Sequence, residues 1–282
     1  MTTTLTTTTT TTTIAPATRL ERRLRARYGP WAVVTGASDG IGREFARTLA
    51  AAGLHLVLVA RRGEVLAALA EELGRAHGIR TRVLALDLAQ PSEVAELGVA
   101  TSDLDVGLLV AAAGFGTSGR FVDAALDAEL AMIDVNCRAV AALAYAFGRR
   151  FAQRGRGGLV LMSSLLAFQG VPRAANYAAT KAYVQSLAEG LRLELAPDGV
   201  DVVASAPGPI HSGFAARAAM TMGKAQTPAA VARATLAALG RRGTVRPGWL
   251  SKVLEGSLSM LPRRGRVRML ARVMRGMTAG DA

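Results

Sequence analysis

The chain has 282 residues, half of them hydrophobic and only 5% aromatic, with a formal net charge of +13. That length and composition fit a single α/β domain whose core is built from Ala, Leu and Val, with no need of a second. The lone cysteine, Cys137, excludes an intrachain disulfide and suits a reducing compartment, and no apolar run reaches the ~18 residues that span a bilayer.

The charge sits on the flanks. Five Arg stand against Glu21 between positions 19 and 27, and ten basic residues stand against Glu255 between 241 and 275. A nucleic-acid binder carries its basic face on the folded body, with aromatic or groove-entering elements, so no nucleic-acid partner is expected. Residues 1–18 are mostly Thr, a low-complexity tract with nothing to bury. Free of acids and rich in hydroxyls, the tract has a faint likeness to a transit peptide. It has no Arg before Arg19 and no apolar segment of a secretory signal, so a disordered tail is expected.

Strands and helices then alternate. Trp31-Ala32-Val33-Val34-Thr35-Gly36 reads as a short strand running through Gly36-Ala37-Ser38-Asp39-Gly40-Ile41-Gly42 into a helix ending near residue 52. Glycines at a strand-to-helix turn let the backbone approach a pyrophosphate, whose charge meets the amides of the helix N-terminus. The spacing is G-x3-G-x-G, not the commoner G-x-G-x-x-G, and the context on both sides is right. A second strand, 54–60, ends in Ala60 and then Arg61-Arg62. An NAD site would place a carboxylate there for the ribose hydroxyls. Two guanidiniums instead match a phosphate, which favours NADP over NAD.

The pattern predicts a helix over 64–77, a strand over 81–86 ending at Asp87-Leu88, a short helix over 91–97, and a strand over 106–111 running into Ala112-Ala113-Gly114. A long helix over 127–153 holds Asn136. The run 158–164 reads as a buried strand closing on Ser163 and Ser164. Over 174–195 the apolar residues Tyr183, Leu187, Leu191 and Leu195 recur at four-residue spacing, a helix stopped by Pro197-Asp198-Gly199. A strand over 200–205 leads into Pro207-Gly208-Pro209-Ile210-His211-Ser212. Such alternation means a doubly wound parallel sheet with right-handed crossovers, a Rossmann-type fold.

At the head of the 174–195 helix, Tyr177 and Lys181 are i and i+4 and share a face. An ammonium near a phenol favours the phenolate and lowers its pKa from ~10. Ser164 lies thirteen residues upstream, where a strand end faces a helix start, the place an open α/β sheet puts its chemistry.

Taken together these residues resemble the short-chain dehydrogenase/reductase family over about residues 28–247. Thr35 to Gly42 meets T-G-x-x-x-G-I-G, Tyr177 and Lys181 meet Y-x-x-x-K, and Ser164, Asn136 and the Pro207-Gly208 turn stand at the family's positions. The resemblance implies that Tyr177 is the acid–base group, that Ser164 holds the substrate oxygen and that Lys181 grips the nicotinamide ribose. It makes Asn136 the support of a water path to the lysine. The cofactor, NADPH or NADP+, would lie against Gly36, Ser38, Asp39, Gly40, Ile41 and Gly42, then Arg61 and Arg62, Asp87 and Leu88, Ala113 and Gly114, and Pro207, Gly208 and Ile210, reaching Tyr177 and Lys181. No metal is implied. Two departures stand out. The family's N-N-A-G is here Ala111-Ala112-Ala113-Gly114, and Asp39 occupies a place where many NADP-using members carry a base, leaving Arg61 as the chief phosphate ligand. Tyr28 to Gly36, Gly114-Phe115-Gly116 and the Pro247-Gly248-Trp249-Leu250 tail are similar to a branch holding β-ketoacyl-CoA reductases, steroid dehydrogenases and bacterial homologues.

The expected function is NADPH-dependent reduction of an apolar ketone or 3-oxoacyl substrate by a cytoplasmic homo-oligomer. The alternative is a silent NADP(H)-binding scaffold or sensor recruited by its basic tail. Leu165, Leu166, Phe168, Val171, Phe115 and Phe214 are expected to line an apolar pocket. For the basic extension 248–282 two readings stand level. Trp249, Leu250, Val253, Leu254, Leu258, Leu261, Val267, Leu270, Val273 and Met274 with interleaved Arg suit reversible contact with an anionic membrane, or a helix pair packed on the body or a dimer partner.

Overall fold

The computed structural model describes residues 17–210, 226–248 and 261–277, and its strands and helices alternate as the pattern requires. Helix α1 (Arg19–Tyr28) leads into β1 (Trp31–Thr35), α2 (Gly40–Ala51), β2 (His55–Ala60), α3 (Gly63–His77), β3 (Thr81–Ala85) and α4 (Pro91–Val99). Then come β4 (Val106–Ala111), α5 (Leu126–Ile133), α6 (Val140–Arg154), β5 (Gly157–Met162), α7 (Ala175–Glu194) and β6 (Val200–Ser205). The described residues close with α8 (Pro228–Ala238), β7 (Thr244–Val245) and α9 (Arg263–Met277). Helices α1 and α8 and strand β7 add to the elements expected from periodicity. Most of the Thr-rich tract, residues 1–16, lies outside the described residues.

The seven strands are all parallel, in the order β3-β2-β1-β4-β5-β6-β7. The chain therefore starts mid-sheet, winds out to β3, crosses back to β4 and winds the other way. Loops leaving β1 and β4 part in opposite directions and open a crevice at the carboxyl edge. Side chains alternate across each strand. Ala32 and Val34 of β1 join α1, α2, α3 and α8 in one core layer, while Trp31 and Val33 join α4, α6 and α7 in the other. With both faces covered, every residue of β1 is buried, which is why the strands read as unbroken apolar runs.

Helix α1 fastens the foot of the sheet. Tyr28 is fully buried and its hydroxyl donates to Asp201 Oδ2 of β6 at 2.7 Å, while Arg27 pairs with the same carboxylate. Burial, and then the Asp201 bond, push the phenol well above its ordinary pKa. Tyr28→Phe is expected to cost about 1.5 kcal/mol, the low end for a bond to a charged group, because Arg27 still serves Asp201. A lower denaturation midpoint with an unchanged m-value is the expected reading; an unmoved midpoint would show that the bond contributes nothing.

Three expectations need correction. The 29-residue stretch Leu126–Arg154 is long and apolar enough by length and composition to cross a membrane, although no such stretch was expected. Met132, Leu143, Phe147 and Phe151 are buried on it and the last three pack against the sheet, so it is a core helix. Nor is it one uninterrupted α-helix: Asp134–Ala139 is π-helical. A wider turn of this kind holds one extra residue and is common at functional sites. Here it carries Asn136, which is wholly buried. Strand β5 ends at Met162, so Ser164 does not close it. Ser164 instead caps a 3₁₀ turn, Leu165–Phe168, in extended backbone with its Oγ accepting from the Leu166 N–H at 3.2 Å.

Candidate active site

A cavity of about 770 Å³ runs along the carboxyl edge of the sheet, from the glycine turn after β1 to the first turn of α7. It brings together every residue expected to touch a cofactor: Gly36, Ser38, Asp39, Gly40, Ile41, Gly42, Arg61, Arg62, Asp87, Leu88, Ala113, Gly114, Tyr177, Lys181, Pro207, Gly208 and Ile210. Ser164 lines it too. Asn136 does not; it lies behind the loop that follows β4.

The glycine turn is shaped for close approach. Gly36 has φ +68° and its missing Cβ would meet Ala113 Cα at 2.9 Å; a Cβ on Gly42 would meet the Gly36 carbonyl oxygen at 2.2 Å. Asp39 caps α2 by accepting from the Gly40 N–H at 2.7 Å. The loop leaving β4, where alanines stand for both asparagines, is tied to β1. Thr35 Oγ1 accepts from the Ala113 N–H at 3.0 Å, holding that loop against the sheet.

The two arginines after β2 play different parts. Arg62 donates to Ser38 O at 3.2 Å and to Ser38 Oγ at 3.0 Å, and Arg43, unmarked by any sequence signal, also donates to Ser38 O. Arg61 lines the cavity and makes no hydrogen bond or ion pair among the described residues, which leaves its fork free for a phosphate.

At the other end, Asn136 Nδ2 donates to Phe115 O at 2.9 Å and to Thr180 Oγ1 at 3.1 Å, and its Oδ1 accepts from the Phe115 N–H at 3.2 Å. It therefore ties the β4 loop to α7. Lys181, 6% exposed, donates to Met162 O at 2.9 Å, and its ammonium lies 5.8 Å from the centre of the Tyr177 ring. Burial pulls its pKa down to about 8. Burial also pushes the Tyr177 phenol up to about 12, against a hydrogen bond with Ser164 that works to lower it. The phenol thus stands above its ordinary value and not below it as expected, because desolvation of the phenolate outweighs the Ser164 hydrogen bond, while Lys181 directs a hydrogen bond to the Met162 carbonyl. A phenol held high stays protonated at neutral pH, the form that can act as an acid.

A buried carboxylate that periodicity could not single out braces this end. Glu129 of α5, 4% exposed, accepts from Thr117 Oγ1 at 2.6 Å and from Asn176 Nδ2 at 2.7 Å, directly before Tyr177.

The substrate half of the cavity is apolar. Phe115, Leu165 and Leu166 line it as expected; Phe168 and Val171 do not. The Arg246 guanidinium lies over Phe168, 4.4 Å from its ring centre, and Val171 is packed between α7 and α9. Phe214, His211 and Ser212 fall outside the described residues, as do Trp249, Leu250, Val253, Leu254 and Leu258. Among the described residues, α9 adds an apolar wall that was not expected of the cavity, through Met269, Leu270, Val273 and Met274. Leu270 and Met274 are buried with Val171, Ala174 and Ala178, and Leu166 and Tyr177 pack on that cluster. Of the two readings of the extension, α9 takes the packed one, and those two side chains are not free to enter a bilayer.

The family model described as "short chain dehydrogenase" matches residues 30–222. The 7beta-hydroxysteroid dehydrogenase of Collinsella aerofaciens is 33% identical over 179 residues, 64% of this chain and 68% of that protein. The very-long-chain 3-oxoacyl-CoA reductase of Podospora anserina is 37% identical over 185 residues, 64% of this chain and 54% of its own length, so the chain spans about half of it. Among solved structures, one from a study of 7beta-hydroxysteroid dehydrogenase stereoselectivity superposes with a TM-score of 0.81 at 28% identity, over 88% of this chain and 98% of that one. A short-chain dehydrogenase from Sphingobium yanoikuyae in complex with NADPH gives 0.75 at 31% identity, over 83% and 97%.

Proposed function

Because the chain belongs to the short chain dehydrogenase family and is an NAD(P)-dependent oxidoreductase, we propose that it is an NADPH-dependent reductase of bulky apolar ketones or 3-oxoacyl compounds. The observation that carries this reading is the single cavity that joins the glycine turn and Arg61 to Ser164, Tyr177 and an apolar wall. The glycine turn, where added Cβ atoms would collide, and the free Arg61 fork fit a phosphorylated dinucleotide. Bound there, NADPH supplies the hydride.

The chain's own residues do the rest. Tyr177 gives its phenolic proton to the carbonyl oxygen as that oxygen gains charge, and the Ser164 hydroxyl donates to the same atom. Donors fixed on an oxygen whose charge grows in the transition state stabilise that state more than the ground state. Lys181 holds the ribose and keeps a positive charge beside the phenol. Asn136 fixes the loop after β4, which lines the cavity, to α7. Apolar side chains around the carbonyl keep water from competing for it.

The steroid and very-long-chain acyl names of the two relatives support a bulky apolar substrate here, as does the α9 wall. A panel of ketones and ketoacyl thioesters, read as NADPH oxidation, tests it. Steroid-like, acyl and aromatic ketones are expected to give the higher kcat/KM; preference for small charged ketones contradicts the reading.

Cofactor choice rests on Arg61. Losing a charge-assisted phosphate contact costs about 1.5–3 kcal/mol, so Arg61→Ala should weaken NADPH roughly 10- to 100-fold and leave NADH unmoved. Equal affinity of the unaltered protein for the two cofactors overturns the assignment. The reading includes self-association. Leu126, Leu130 and Ile133 are exposed at helical spacing on α5, a stripe suited to a second copy. Light scattering should give a mass above one chain, which Leu130→Glu reduces; a monomer at micromolar concentration removes this part.

A further inference from the structure

The 3₁₀ turn after Ser164 is held from two sides. Leu165 N–H donates to Pro207 O at 2.9 Å, Ala167 N–H donates to Ser164 O at 3.0 Å, and Arg246 lies over the Phe168 ring. The residues this turn and its end present to the cavity are Leu165, Leu166 and Gln169. Gln169 is 6% exposed, and a carboxamide offers two donors and two lone pairs. Its one hydrogen bond among the described residues runs from Nε2 to Leu165 O at 3.5 Å, beyond the usual range.

Other buried polar groups around the site are well served. Glu129 and Asn136 are bonded at 2.6–3.2 Å by side chains and backbone of neighbouring elements. The Gln169 carboxamide is not sealed within protein; it opens on the cavity, where a ligand group can meet it. The side chains that α9 presents to the same cavity are all apolar. In the proposed reaction the hydroxyls of Ser164 and Tyr177 serve the reacting oxygen, and Lys181 donates to Met162 O. Among the described residues, Gln169 is therefore a polar group left over for another part of the ligand.

We propose that Gln169 sets substrate specificity by hydrogen-bonding a second oxygen of an otherwise apolar substrate, distinct from the reacting carbonyl. The neighbouring carbonyl of a 3-oxoacyl thioester and a remote hydroxyl or oxo group of a polycyclic ketone share that chemistry. This rests on the reading of the chain as a carbonyl reductase and narrows it, since a bulky ketone with one oxygen alone would leave the carboxamide unmet. A site built to hydrogen-bond its substrate discriminates against an analogue that lacks the group far more strongly than an apolar wall does.

The test uses two matched pairs with the full chain. A 3-oxoacyl thioester is compared with a simple ketone of equal chain length, and a hydroxy-steroid ketone with its mono-ketone. In at least one pair the unaltered protein should favour the two-oxygen member about tenfold or more in kcat/KM, and that pair identifies the source of the oxygen. Gln169→Leu should lower only that member, by about tenfold, the size of one net hydrogen bond. NADPH affinity and the melting midpoint should stay put. Gln169→Glu keeps the volume but cannot donate, so it should lose a second carbonyl and keep a second hydroxyl; it carries the test if the Leu variant melts early. Equal losses for both members of each pair, or no loss in either variant, overturn the proposal. Calorimetric titration of the NADP+ complex with the same pairs separates this idea from the reductase reading. If nothing is turned over, weaker binding of the two-oxygen member alone in Gln169→Leu sustains the contact while the reductase reading fails. Equal binding of both members, or no binding of either, overturns the contact.

Discussion

Tyr177→Phe is expected to lower turnover by at least ~10²-fold while the protein folds and binds NADPH as before. The substitution removes one oxygen and keeps a ring that packs on Val171, Ala174, Leu270 and Met274, so the core below it is undisturbed. What is lost is the proton donor. Burial pushes this phenol up to about 12, so it is protonated throughout the neutral range and ready to give that proton to an oxygen gaining charge. Positioned acid–base groups typically contribute 10²–10⁴-fold, and Ser164 alone keeps a donor on the oxygen without replacing the proton. The expected signature is a fall in kcat with little change in KM, the mark of an interaction made only in the transition state. Turnover within a few-fold of the unaltered protein would show that the proton comes from elsewhere.

Lys181→Met should lose both rate and cofactor affinity, because one ammonium is asked to hold the ribose and to stand beside the phenol. Its pH dependence offers a second readout. Burial brings Lys181 down to about 8. Below that pH the ammonium is present, and above it the competent charge is progressively lost. The kcat/KM for NADPH, which reports the cofactor-free protein, should therefore be flat below pH 8 and fall with rising pH, by up to tenfold per unit. In Lys181→Met the value starts low and that limb disappears. A profile that rises above pH 8, or a variant that keeps the limb, contradicts the assignment.

Much of this architecture could be read from the chain because it depends on local signals. Unbroken apolar runs mark strands covered on both faces, and glycines at a strand-to-helix turn mark a phosphate cradle. Tyr177 and Lys181 share a face by helical spacing alone. What stayed hidden depends on distant contacts or on single-residue irregularities. One extra residue in the turn at Asn136 leaves the apolar periodicity of 127–153 nearly unchanged, so the π segment cannot be seen in it. Glu129 reads as an ordinary acid in the first turn of a helix until Thr117 and Asn176 close over it. Phe168 and Val171 belong to the right segment, but Phe168 is taken up by Arg246 and Val171 by the cluster with α9. The α9 wall is the largest such case. About a hundred residues separate Met274 from Tyr177, and an amphipathic basic helix gives no local clue to which surface its apolar face will meet.

If this cavity transfers hydride to a carbonyl carbon with Tyr177 supplying the proton, a label on the hydride must appear in the alcohol. The most direct measurement uses NADPH deuterated at both C4 positions of the nicotinamide, incubated with the protein and a bulky apolar ketone, with the products analysed by mass spectrometry and NMR. The account predicts an alcohol carrying one deuterium at the carbinol carbon, its hydroxyl proton drawn from solvent-exchangeable Tyr177, and almost no labelled product from Tyr177→Phe. Tight NADPH binding with no label in any product across the ketone panel would contradict it, and would point instead to a dinucleotide-binding scaffold without turnover.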